Sequence, residues 1–245
     1  MESNKKIAYD IDKSSQRMDD IINNHNSNFC DCTQIPSRDQ LTYNNGYYVN
    51  VTSIFIDIVK SSDMTDSHKR PTLAKMYRSF ISECVAILNS YSNCKEINIH
   101  GDCVWGVFDT PHNSDIDEVF FVAATVNSVI KVLNYKLAKK GYSQISIGIG
   151  IDNGRALMVK AGYSGSSLNE VIWMGDVVNS ASHICNKAGR GGREPIIVSA
   201  NIYNKLNNRN QKFFESYMDS TTWVTYYETN VSNGEINLWY SENCK

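Results

Sequence analysis

The 245-residue sequence is poor in proline, with 4, and moderate in glycine, with 14, which excludes collagen-like and proline-rich disordered classes. It lacks a basic excess: 24 Lys and Arg stand against 26 Asp and Glu, a formal charge of −2. A duplex-binding protein carries surplus cations to displace counterions, so no nucleic-acid partner is expected, and an anionic ligand must be gripped locally by metal or backbone amides. Long apolar runs are missing too. The most apolar stretch, 119–126, falls far short of the roughly 20 residues of a membrane helix, so no membrane contact is expected. The seven cysteines, at 30, 32, 84, 94, 103, 185 and 244, contain no paired CxxC motifs, which argues against a zinc site and for free thiols. The N-terminus MESNKKIAYDIDKSSQ has no apolar core of a secretory signal, so the expected location is the cytoplasm.

With 42% apolar and 20% charged residues, the remainder reads as a globular domain preceded by an extension. Residues 1–48 are polar, rich in Asn, Ser and Asp, with an amphipathic helix near 7–22, and read as an N-terminal arm lying on the domain or on a partner subunit. From 49 to 245 strands and helices alternate. VNVTSIFIDIV (49–59) is β-branched and apolar, hence a buried strand. Leu73, Met76, Tyr77, Phe80, Ile81, Cys84, Val85 and Leu88 share a helical stripe over 69–90, with Pro71 near its start. CKEINIHGDCVWGVF (94–108) alternates on both sides of His100-Gly101-Asp102, a β-hairpin. A second long helix is predicted over 115–138, a strand over 144–151 with a partner over 155–160, and a strand ending near Trp173. A helix over 176–187, a strand over 195–198 and weaker strands over 223–239 complete the chain. The order β-α-β-β-α-β predicts an α/β (α+β) ferredoxin-like sandwich with extra C-terminal strands, its antiparallel sheet covered on one face.

Two aspartates stand out. Asp57 interrupts an isoleucine-rich strand, where an unpaired carboxylate costs several kcal/mol and needs a cation or strong donors. Asp102 sits in the hairpin turn, and in a ferredoxin-like sheet the first strand and the hairpin are neighbours. Two hard oxygen ligands converging beside a loop whose amides (58–62) can face a polyphosphate suit Mg²⁺ or Mn²⁺. A third segment, WMGDVVNSASH (173–183), breaks a strand at Gly175 and starts a helix at once. Val178, Ala181 and Ser182 are expected to pack inward there, leaving Asn179 and His183 on one face toward the site.

FIDIVKSS (55–62), EINIHGD (96–102) and WMGDVVNSASH (173–183) resemble the three core motifs of class III nucleotide cyclases. IPSRDQL (35–41), HKRPTLAKMYRSFISE (68–83), GRALMVKAG (154–162) and EVIWMGDVVN (170–179) are similar to the Pycsar pyrimidine cyclases of bacterial anti-phage defence. The resemblance implies that Asp57, Asp102 and the carbonyl of Ile58 hold two divalent metals per active site. It implies that Val59, Lys60, Ser61 and Ser62 hold the triphosphate and that Asn179 positions the ribose. The implied reaction is attack of the ribose 3′-oxygen on the α-phosphorus with release of pyrophosphate, in homodimers with shared active sites. The implied product is a second messenger read by a separate cyclic-nucleotide-binding effector.

Two positions depart from the purine-specific pattern of the family, and a third from its catalytic pattern. Asn98 stands where adenylate cyclases have lysine and guanylate cyclases glutamate, and Ile172 stands at the companion purine-reading position. An asparagine amide has both a donor and an acceptor and suits the edge of uracil or cytosine. His183 replaces the arginine that many class III enzymes carry; His183 itself, Lys60 or Lys160 would have to substitute. The leading expectation is conversion of UTP to 3′,5′-cyclic UMP. The alternatives are conversion of CTP to cyclic CMP, and a non-catalytic cyclase-like nucleotide-binding regulator.

Overall fold

Isoleucine alternates with glycine through residues 147–151, and this sorts the two faces of the central sheet. The computed structural model describes residues 7–165 and 168–245; residues 1–6 of the expected arm lie outside the described residues. In chain order the elements are α1 (Ile11–Ile22), β1 (Phe29–Asp31), β2 (Gly46–Ile58), α2 (Ser61–Ser67), α3 (Arg70–Asn89), β3 (Cys94–His100) and β4 (Cys103–Asp109). Then follow α4 (Asn113–Ala138), β5 (Ile147–Gly162), β6 (Asn169–Met174), α5 (Asp176–Cys185), β7 (Ile196–Ser199), α6 (Ala200–Lys205), α7 (Asn208–Gln211), β8 (Glu215–Met218), β9 (Thr225–Thr229) and α8 (Gly234–Asn243). Among the described residues the strands form one sheet in the order β3-β4-β2-β5-β7-β9-β8, with β1 added to β2 and β6 to β5. The β2-α3-β3-β4-α4-β5 portion is antiparallel throughout and has the predicted βαββαβ arrangement.

On one face Ile54, Ile56 and Ile58 of β2 and Ile147, Ile149 and Ile151 of β5 pack with Met76, Phe80, Cys84 and Leu88 of α3 and with the apolar stripe of α4. The opposite face is also covered, which corrects the expectation of a sheet covered on one face only. There α5 lies directly on β5, because Gly148 and Gly150 present no side chain. A Cβ at Gly150 would lie 2.2 Å from the Cys185 nitrogen and 2.3 Å from the Ala181 carbonyl oxygen. Phe55, across the ladder from Gly150, packs with Ala181 and Cys185.

Two predicted strands, 144–151 and 155–160, are one continuous strand. The turn-forming residues between them spend their side chains on neighbours instead. Asp152 accepts from Ser199 Oγ at 2.5 Å, and the buried Asn153 amide donates to Val51 O, Thr52 Oγ1 and Thr110 Oγ1. Pairing with β2 therefore runs unbroken from Gly46–Val159 to Ile58–Ile147. The strands expected over 223–239 are also corrected. Only Thr225–Thr229 is extended, and Asn233 then caps α8 by accepting from the amides of Glu235 (3.0 Å) and Ile236 (3.4 Å).

Candidate active site

Side chains of β2 alternate, so Ile56 and Ile58 enter the core while Phe55 and Asp57 face α5. The β2–β4 ladder runs to Ile56–Val104, and the β3–β4 ladder closes at His100–Cys103. Gly101, at φ +64°, supplies the left-handed first position that a two-residue hairpin favours. The hairpin thus brings Asp102 to the end of β2 that carries Asp57. Burial pushes the Asp57 carboxyl above its usual range, and the neighbouring Asp102 charge pushes it further, against the opposing pull of Arg190. The two acids therefore meet at one end of the sheet. A cavity of about 250 Å³ opens beside Asp57, lined by Phe55, His100, Cys103, Trp105, Ser182, Cys185 and Asn186. Burial, with Asp57 close by, raises the Cys103 thiol to about 12.

Asp57 is not unpaired. Arg190 donates from Nη2 to Asp57 Oδ2 at 2.7 Å and to the Ile58 carbonyl at 3.5 Å. Two carboxylates and a carbonyl are the oxygen chemistry Mg²⁺ and Mn²⁺ prefer, and a cationic group already rests on two of the three. The donor set fits a divalent cation. Among the described residues no cluster of three or more His, Cys, Asp or Glu side chains forms a denser alternative.

After Ile58 the chain turns through Lys60, a non-glycine residue at φ +54°, into α2. The Val59 amide donates to Ser146 O at 2.8 Å, so the loop amide of that residue is already committed. Val59 and Lys60 line a second cavity, of about 450 Å³, together with Ser146, Gly189 and Arg190. Ser61 is half-buried and Ser62 exposed.

None of the other expected site residues lines the Asp57 cavity. Asn98 faces Trp105 across the hairpin, and its amide nitrogen is buried with no partner. Ile97 packs against the core, whereas Ile99, near the end of the edge strand β3, is 55% exposed. Trp105 stacks on Phe55 at 5.2 Å and packs against the cluster containing Val171 and Trp173, the neighbours of Ile172. Ile172 is exposed. On α5 the buried stripe is Val177, Ala181, Ile184 and Cys185, with Val178 half-buried. Ser182, expected inside, instead lines the Asp57 cavity. Asn179 and His183 are exposed on the same helix, outside the wall of that cavity, and Lys160 lies over the Tyr43 ring at 5.2 Å.

The larger cavity of about 820 Å³, between α3 and α4, has a ring of Lys75, Arg78, Lys136, Lys139 and Lys140 over apolar residues and no paired carboxylates. The paired acids stand beside the smaller one. Arg190, Trp105 and Asn186 were missed from sequence. For Arg190 a signal existed: an arginine set among Gly189, Gly191 and Gly192, all at positive φ.

A ferredoxin-like βαββαβ core with an acid on its first strand and another in its hairpin turn defines the catalytic domain of class III nucleotide cyclases. The family described as "Adenylate and Guanylate cyclase catalytic domain" matches residues 44–224, and the chain belongs to it. A protein named uridylate cyclase from Treponema porcinum is 36% identical over 98% of this chain and 84% of its own. A second of that name, from Gulbenkiania mobilis, is 38% identical over 96% and 97%. The fold matches the crystal structure of the adenylyl cyclase CyaB from P. aeruginosa with a TM-score of 0.65 at 18% identity, covering 78% of this chain and 98% of that one. Among the described residues no helix is long and apolar enough to cross a membrane.

Proposed function

We propose that this nucleotide cyclase converts UTP to 3′,5′-cyclic UMP and pyrophosphate, in a homodimer whose two active sites are shared between protomers. The observation that carries the assignment of a pyrimidine edge is the buried, unpartnered amide nitrogen of Asn98. A donor without an acceptor is costly inside a protein, about 1–3 kcal/mol, and a ligand edge that accepts repays it. Uracil offers O2 and O4 and cytosine offers O2 and N3 as acceptors, so the amide supports either pyrimidine. The names of the two relatives, similar over most of their length, support UTP over CTP.

Asp57, Asp102 and the Ile58 carbonyl would hold two Mn²⁺ or Mg²⁺ ions. When bound, such ions acidify the 3′-hydroxyl and neutralise the leaving pyrophosphate. This chain's own residues do the positioning. The loop at Lys60, Ser61 and Ser62 faces the polyphosphate, and Asn98 beside Trp105 reads the base. Asn179 orients the ribose from α5, and His183 one turn later faces the reacting phosphate. The Asp57 cavity, at about 250 Å³, is smaller than the roughly 300–1,000 Å³ of usual ligand pockets and excludes Asn98, Ile172, Asn179 and His183 from its wall. Each protomer thus supplies half a site: metal ligands in one, base and ribose contacts in the other. We assign catalysis to residues 49–245 and treat 1–48 as an extension. The cytoplasm is the expected location, and the Pycsar resemblance supports a second-messenger role in anti-phage defence through a separate effector.

Purified protein with Mn²⁺ and each of the four nucleoside triphosphates tests the reading. Cyclic product and pyrophosphate from UTP are expected. Preferential turnover of CTP would make the enzyme a cytidylate cyclase, preferential turnover of ATP would remove the pyrimidine assignment, and no turnover of any would leave a nucleotide-binding regulator.

A further inference from the structure

Arg190 does two different things with the two ends of its guanidinium. From Nη1 it donates to the carbonyls of Cys185 (3.0 Å) and Ala188 (3.1 Å), which tie it to the loop after α5. From Nη2 it reaches Asp57 Oδ2 and the Ile58 carbonyl, two of the three oxygens assigned above to the divalent cations. The loop is pressed close to make this reach. Gly189, at φ +67°, lies so near β5 that a Cβ there would sit 2.4 Å from the Ile147 carbonyl oxygen. Arg190 also lines the cavity bounded by Val59 and Lys60, so it stands between the paired acids and the polyphosphate loop.

We propose that Arg190 is a substrate-binding residue of this site, resting on Asp57 in place of a divalent cation and turning to the polyphosphate once that cation arrives. The proposal rests on the nucleotide cyclase reading. Asp57 and Asp102 would hold a divalent cation, and Asp57 would then give up its bond to the singly charged Arg190. The displaced Nη2, still tethered through Nη1, cannot travel far, and a phosphate oxygen is the partner a guanidinium fork fits best. The family resemblance does not assign this residue, because it lies in the glycine-rich loop beyond the third motif.

Metal binding without nucleotide, and nucleotide binding without turnover, separate the two halves of the claim. Mn²⁺ affinity is measured by electron paramagnetic resonance on wild type, Arg190→Gln, Arg190→Lys and Asp57→Asn. Binding of 3′-deoxy-UTP, which cannot cyclise, is measured by calorimetry at saturating Mn²⁺. Removing a charge-assisted bond is expected to tighten Mn²⁺ about tenfold in Arg190→Gln and to weaken the analogue about tenfold. Arg190→Lys, which keeps the charge but loses the fork, moves both values in the same directions by less. That variant decides the matter if Arg190→Gln does not fold. Unchanged or weaker Mn²⁺ binding in the Arg190 variants overturns the resting position, and unchanged analogue affinity overturns the substrate role. Asp57→Asn must lose Mn²⁺. If it binds the ion as wild type does, the metal assignment fails rather than the role of Arg190. Failure of wild type to bind the analogue would count against uridine alone, since the Mn²⁺ comparison needs no nucleotide.

Discussion

Asp57 and Ile172 are tied to the same strand at opposite ends, Asp57 paired with Gly148 and Ile172 with Val159 of β5. Roughly 36 Å of strand contour separates their partners, and the cavity beside Asp57 does not include Ile172. On the reading proposed above, each protomer would carry a metal half and a base half that belong to different sites. Mixing Asp57→Ala protomers with Asn179→Ala protomers should restore activity, because one of the two sites in a mixed dimer draws both intact halves. Cyclic product is assayed after subunit exchange has been verified by mass-tagged chains. Silence from verified mixed dimers would place all the chemistry in one chain.

Asp57 also makes a thermodynamic prediction. Its folded carboxyl lies above the usual 3.8, chiefly through burial and then through Asp102, with Arg190 only partly offsetting them. The charged form is thus less welcome in the folded than in the unfolded chain. Its contribution to stability is fully present below the unfolded value and is lost as pH rises through the folded one. Metal-free Asp57→Asn, whose amide oxygen can still accept from Arg190, should melt above wild type near neutral pH. That advantage should vanish at about pH 3.8 and below, where wild type is itself uncharged. Turnover by the same variant should be abolished. A variant that melts lower than wild type at neutral pH would mean that the ion pair with Arg190 outweighs desolvation.

Much of this geometry is legible in the sequence. A continuous apolar, β-branched run marks β2, because it is buried on both faces, while alternation marks the hairpin and helical stripes mark the two long helices. The continuity of β5 is not legible. Asp152-Asn153-Gly154 has turn chemistry, and only the distant Val51, Thr110 and Ser199 show where its side chains bond instead. The acids at 57 and 102 announce themselves as charges out of place. Arg190 is signalled only by its flanking glycines, since its loop has no periodicity and its partner lies 133 residues earlier. Helix α8 was hidden by the alternation of Ile236 and Leu238, which reads as a strand until Asn233 is recognised as a cap.

Asn98 should behave unlike an ordinary buried polar residue. Its unpartnered amide nitrogen contributes nothing to the free protein, so Asn98→Ala should leave thermal stability unchanged or raise it by up to about 1 kcal/mol. The same change should lower kcat/KM for UTP at least about tenfold, the cost of one lost base hydrogen bond. A large loss of stability with unchanged kcat/KM would reverse the assignment and make Asn98 structural.

The seating of α5 can be tested away from any reacting group. At Gly150 an added methyl meets backbone atoms of Cys185 and Ala181 closer than van der Waals contact allows, so the helix itself must move. At Gly154 the same methyl would touch only the Val177 side chain, at 3.4 Å. Overpacking of this kind costs about 1–3 kcal/mol, so Gly150→Ala should melt well below wild type while Gly154→Ala stays close to it. Ser182 and Asn186 border the Asp57 cavity and Asn179 and His183 ride on the same helix, so displacing it also disturbs both half-sites. Gly150→Ala should accordingly lose activity even at temperatures where it remains folded, as judged by circular dichroism. Equal activity in the two variants would show that the cavity tolerates a shifted helix, and that the glycines serve packing alone.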